Sequence, residues 1–106
     1  MGLNLDDLFA QANKFKESMA QAKQLLDSRT IEVSGGHGAV VVVISGLAKI
    51  KVIRLAPDAL TLLGREGLES TLVSTVNEAF DRSKDLAAKT MSELTGFNLE
   101  NISELF

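Results

Sequence analysis

The chain has 106 residues, 45% of them hydrophobic, which suits one small domain with enough apolar material for a core. It holds no cysteine, tryptophan or tyrosine and a single histidine, so disulfides, thiolate chemistry and Cys-ligated metals are excluded. The net charge of −3 argues against binding a polyanion through bulk charge, but it is unevenly spread: residues 1–30 are balanced, residues 31–56 carry +2 and residues 57–106 carry −5.

The opening "MGLNLDD" lacks a basic segment followed by a long apolar one, and no apolar run approaches the ~18 residues of a membrane span. A cytoplasmic protein with no membrane partner is expected. From Leu5 the apolar residues run Leu5, Leu8, Ala12, Phe15, Met19, Ala22, Leu26, the alternating three-and-four spacing of a coiled-coil-like seam. This predicts a helix from an Asn4 cap to about Ser28, with Asp6 and Asp7 in the first turn, where negative charge meets the positive end of the helix dipole.

"RTIEVS", "AVVVVIS" and "AKIKVIRLA" then read as three short strands rich in β-branched residues, joined by "GGHG" and "SGLA" in antiparallel hairpins. The glycines around His37 do not form a phosphate loop. A dinucleotide fingerprint counted from Gly36 would need glycine where Val41 stands, a Walker loop would need Gly-Lys-Ser/Thr, and both require a helix where a strand follows. His37 reads as a solvated turn residue, because no second histidine or cysteine exists to complete a metal site.

Pro57 ends the sheet and suits a helical turn over about 57–63, with Asp58 adding favourable charge at its start. After Gly64 and Gly67 a long helix is predicted from about Glu66 to Thr95, with Val73, Val76, Phe80, Ala87 and Leu94 along its stripe, Leu72, Ala79 and Leu86 alongside, and Ser83 and Thr90 interrupting the seam. The tail over 97–106 carries Leu99, Ile102 and Leu105 at helical spacing and suits a short amphipathic helix.

These elements predict an α+β fold: a long helix, a three-stranded antiparallel sheet, a short helical turn and a second long helix, with one domain over 1–96. Val40 to Ile44 place apolar groups on both faces of the sheet, more than one small chain readily covers. A homodimer is therefore expected, with central sheets, projecting helices, and Phe15, Met19, Val40, Val42 and Ile44 at its interface.

Catalysis has little to work with, and no catalytic residue, metal, cofactor or small-molecule substrate is expected. Glu78, Asp81 and Asp85 alternate with Arg82 and Lys84 and read as a solvated helix face. The cations are more informative. Lys16 and Lys23 are seven apart on one face of the first helix, Lys14 points elsewhere, and Arg82 and Lys89 are seven apart on the last helix, with Lys84 nearer its seam. Residues seven apart lie about 10 Å apart along a helix, the order of spacing between backbone phosphates. From the pattern alone, such flanking lysines more often supply interhelical ion pairs and cover apolar surface with their stems.

The helix "LDDLFAQANKFKESMAQAKQLL", the turn and strand "GGHGAVVVVISG", the strand and proline turn "KVIRLAPDAL" and the helix string "VNEAFDRSKDLAAKTMSEL" together resemble the YbaB/EbfC family of bacterial nucleoid-associated DNA-binding proteins. In the last string Asn77, Ala79, Arg82, Lys84 and Met91 sit where the family's recurrent Asn-x-Ala and basic spacing would put them. Val41 departs from a position that is often Lys, and Ala56 stands before Pro57 where an acid is usual. The resemblance implies a homodimer with a central sheet body and projecting helices, non-enzymatic, located at the nucleoid and organising the chromosome or modulating gene expression.

On this reading DNA is the partner, and Lys14, Lys16, Lys23, Arg29, Arg82, Lys84 and Lys89 are the candidate phosphate contacts, with Gln11, Asn13, Gln21 and Gln24 as candidate base readers. A rival reading is a protein-interaction module that uses the helices, the acidic last half and the apolar tail to bind a partner protein.

Overall fold

A computed structural model of the chain describes residues 4–95, so the amphipathic helix expected over 97–106 lies outside the described residues. The order is α1 (Leu5–Ser28), β1 (Thr30–Gly35), β2 (Val40–Ser45), β3 (Ile50–Leu55) and α2 (Ala59–Thr95). This is the expected α+β arrangement, with one antiparallel sheet in the order β1-β2-β3.

Asn4 caps α1 as its sequence position implies, its side-chain oxygen accepting from the Asp6 N–H at 3.2 Å. In α2, Gly64 has φ 70° and ψ 169°, which breaks the helix near its start. Only glycine adopts that backbone without a Cβ clash, so the short turn and the long helix separate there. Helix α2 begins at Ala59, with Pro57 and Asp58 in the turn that precedes it.

The core is the seam between the sheet and α2. Val33, Val40, Val42, Ile44 and Ala79 are buried in it, with Ile31, Leu68, Leu72, Val76 and Phe80 packed around them. Gly35 lets the helix approach the sheet, since a Cβ there would strike the Thr75 hydroxyl. The buried stripe of α2 also contains Thr75, Ser83 and Thr90, each hydrogen-bonded. Val73, expected in this stripe, lies off it at 63% exposure.

Val40, Val42 and Ile44, expected at a dimer interface, are wholly buried under α2 of their own chain and present no surface to a partner. The uncovered face is on β3. Cross-strand pairing sets Leu55 opposite Val40, Ile53 opposite Val42 and Ile50 opposite Ile44, so all three share the face that α2 covers. But α2 lies across β1 and β2, and every residue of β3 is exposed. A register shift between Val43 and Ile44 bends the ladder beside this edge.

Helix α1 joins the body only at its C-terminal end. Ala22 and Leu26 are its buried residues, while Leu5, Phe9 and Phe15 are about two-thirds exposed. The Gly46 N–H donates to the carbonyls of Leu26 (3.0 Å) and Arg29 (3.1 Å), tying the end of the helix to the β2–β3 turn. The rest of α1 projects from the body.

Candidate nucleic-acid interface

The projecting helix carries three of the seven cations expected to meet DNA. Lys14, Lys16 and Lys23 are exposed and, among the described residues, form no ion pair. Lys16 and Lys23, two turns apart, share one side of the helix, and Lys14 lies on another. Their charges face solvent on an arm whose acids are Asp6, Asp7, Glu17 and Asp27, of which Asp27 is held by Lys51 at 3.1 Å.

On α2 the picture is divided. Arg82 is exposed but donates to Glu78 at 3.0 Å, one turn before it. Lys89 is exposed and, among the described residues, forms no ion pair, and with Ile31, Arg82, Asp85 and Leu86 it lines a shallow cavity of about 300 Å³ where α2 meets β1. Lys84 is also exposed and without an ion pair among the described residues, but it falls on the side of α2 away from the buried stripe.

Arg29 is in a different situation. Its guanidinium donates to the Thr90 hydroxyl (3.0 Å) and to the Glu93 carboxylate (3.1 Å), bridging the end of α1 to the last turns of α2. No local pattern announces such a pairing, because its partners are 61 and 64 positions away. Lys49 lies within the string "AKIKVIRLA" that reads as the third strand. The structure places it in the turn before β3, exposed and without an ion pair among the described residues.

The glycine turn is a turn. His37 is exposed with φ 56°, between Gly36 (φ 61°) and Gly38 (φ 89°), and the Gly38 N–H closes onto the Gly35 carbonyl at 3.2 Å. The cavity beside it, about 390 Å³, is lined mainly by Ala39, Ala56, Leu62 and Leu63 and has no lysine or arginine. Among the described residues no group of three or more His, Asp or Glu could hold a metal ion, and no helix is long and apolar enough to cross a membrane.

The profile of the YbaB/EbfC DNA-binding family matches residues 1–98, nearly the whole chain. The chain belongs to the YbaB/EbfC DNA-binding family. Among similar proteins, a nucleoid-associated protein of Ruminiclostridium cellulolyticum is 39% identical over 95 residues, covering 90% of this chain and 83% of the relative. A nucleoid-associated protein of Acetivibrio thermocellus is 33% identical over 105 residues, covering 99% and 92%. The crystal structure of an uncharacterized Helicobacter pylori protein has the same fold, with a TM-score of 0.78 at 15% identity, covering 89% of this chain and 99% of that one.

Proposed function

We propose that this YbaB/EbfC protein is a non-enzymatic, nucleoid-associated homodimer that holds DNA by phosphate contacts from lysines on its helices. The observation that carries the reading is that Lys14, Lys16 and Lys23 all stand exposed and, among the described residues, without an ion pair on a helix that leaves the body. A cation already paired with a carboxylate gains little from a phosphate, since it must give up one ion pair to form another. Lys16, Lys23 and Lys89 are therefore the principal contacts, Lys14 and Lys84 lie to other sides, and Arg82 takes part only on release from Glu78.

The dimer follows from the uncovered apolar surface. Ile50, Ile53 and Leu55 are between 38% and 48% exposed on β3, an edge strand of the sheet, and Leu60 and Leu62 at the start of α2 are more exposed still. Such an edge favours pairing with a second copy, whose own β3 offers the same surface. Two copies place two lysine arms on one particle, and the close local spacing of these cations compensates for the net charge of −3.

The test is DNA affinity measured across a range of salt. If each protomer commits Lys16, Lys23 and Lys89, log K falls against log salt with a slope of about −5. A slope near zero, or no DNA binding at low salt, removes the reading and leaves the protein-interaction alternative.

A further inference from the structure

We infer that Arg29 is a positioning residue for DNA binding: its bridge to Thr90 and Glu93 sets the direction of the α1 arm and so where Lys16 and Lys23 stand. This rests on the reading that those lysines meet phosphates. Within α1 the first 17 residues, Leu5 to Gln21, are exposed, and only Ala22 and Leu26 are buried. Two small patches of packing and the Gly46 hydrogen bonds act close together at one end of a lever. They hold the end of the helix but resist rotation about it poorly.

The Arg29 guanidinium adds a restraint of another kind. It reaches across to α2, where Thr90 is wholly buried and accepts at 3.0 Å, and Glu93 accepts at 3.1 Å. The donors of a guanidinium lie in one rigid plane, so two acceptors fix its orientation as well as its distance. Lys16 is 13 residues from Arg29, about 20 Å along the helix. A swing of about 20° at the pivot moves it by roughly 7 Å, well beyond the reach of a charge-assisted hydrogen bond.

The bridge is also exposed enough that folding does not depend on it. The Arg29 and Glu93 side chains are 37% and 46% exposed, and pairs of that kind contribute little to stability. Loss of the bridge is therefore read in arm geometry and DNA binding, with the fold retained.

The experiment compares the full chain with Arg29→Gln, Glu93→Gln and the exchange Arg29→Glu with Glu93→Arg. Because the chain has no cysteine, spin labels placed by Ser18→Cys and Asn77→Cys report the α1–α2 distance, with unlabelled protein in excess to suppress signals between copies. Both single variants should broaden the distance distribution and weaken DNA binding about threefold to fivefold at an unchanged salt slope, and the exchange should restore both.

If Arg29 were instead a phosphate ligand, Glu93→Gln would tighten binding by removing a competing anion. Arg29→Gln would then make the slope shallower by about 0.9 for each protomer that engages, and the exchange would fail to rescue. That pattern, or an unchanged distance distribution in both single variants, overturns the proposal. Should Arg29→Gln fail to fold, Glu93→Gln carries the same test. Failure of the underlying reading shows separately, as DNA binding indifferent to Lys16→Ala and Lys23→Ala while the distances still respond to Arg29.

Discussion

Ser83 illustrates how one hydroxyl can join two elements. At 1% exposure its Oγ donates to the Ser45 carbonyl at 2.7 Å and accepts from the Ala48 N–H at 3.1 Å, locking α2 to the β2–β3 turn. Ser83→Ala removes both bonds and leaves the Ser45 carbonyl and the Ala48 N–H only their mutual bond at 3.0 Å, so thermal or denaturant unfolding should show a loss of about 1–3 kcal/mol, about 0.5–1.5 for each bond. Ala48 sits in the same turn with φ 61°, where a Cβ costs about 1–2 kcal/mol. Glycine removes that strain but adds about 0.4–1 kcal/mol of backbone entropy to the unfolded chain. Strain is the larger effect, so Ala48→Gly should stabilise by about 0.5 kcal/mol and raise the Tm by about 2–4 °C. His37 has no such role, and His37→Ala at its exposed turn should change both stability and DNA affinity by less than about 0.5 kcal/mol.

At the scale of elements, α1 and α2 are both long helices with different tasks. The stripe of α2 meets the sheet, and its Thr75, Ser83 and Thr90 are tolerated there because each hydroxyl has a hydrogen-bonding partner. Helix α1 keeps its heptad seam but covers only the last part of it, so the spacing revealed the helix correctly while leaving open what the seam packs against. The same ambiguity governs the cations, because periodicity assigns a lysine to a side of a helix and not to a partner. Lys16→Ala and Lys23→Ala together should make the salt slope of DNA binding shallower by about 0.9 per lysine for each protomer that engages, equally for all DNA sequences. Arg54→Ala, whose guanidinium is paired with Glu32 on β1, should leave that slope unchanged.

For the whole molecule, the question is which apolar surface belongs to the core and which to a partner. Val42 and Ile53 stand opposite each other on adjacent strands, yet one is wholly buried and the other 46% exposed, because α2 stops short of β3. Val42→Asp therefore buries an unpaired charge inside the protomer and should abolish cooperative unfolding at any concentration. Ile53→Asp places its charge at the uncovered edge. It should yield a folded monomer by light scattering, with helix content retained by circular dichroism, against the dimer proposed for the parent chain. An unchanged mass for Ile53→Asp would move the dimer contact to the α1 seam around Phe15 and Met19.

The helices, the strands, the glycine turn and the break at Gly64 were legible in the residues themselves, because capping, β-branching, alternation and positive-φ turns act over a few positions and leave a local trace. The family was legible for a related reason, as several such local strings in a particular order. Contacts between distant positions leave no comparable trace. That α2 covers β1 and β2 but not β3, that Val40, Val42 and Ile44 are core, and that Arg29 reaches Thr90 and Glu93 all depend on how the elements pack in three dimensions. A valine in an apolar strand looks the same under a helix or at an open edge. An arginine likewise looks the same paired or free, and only the packed structure supplies the neighbour that distinguishes them.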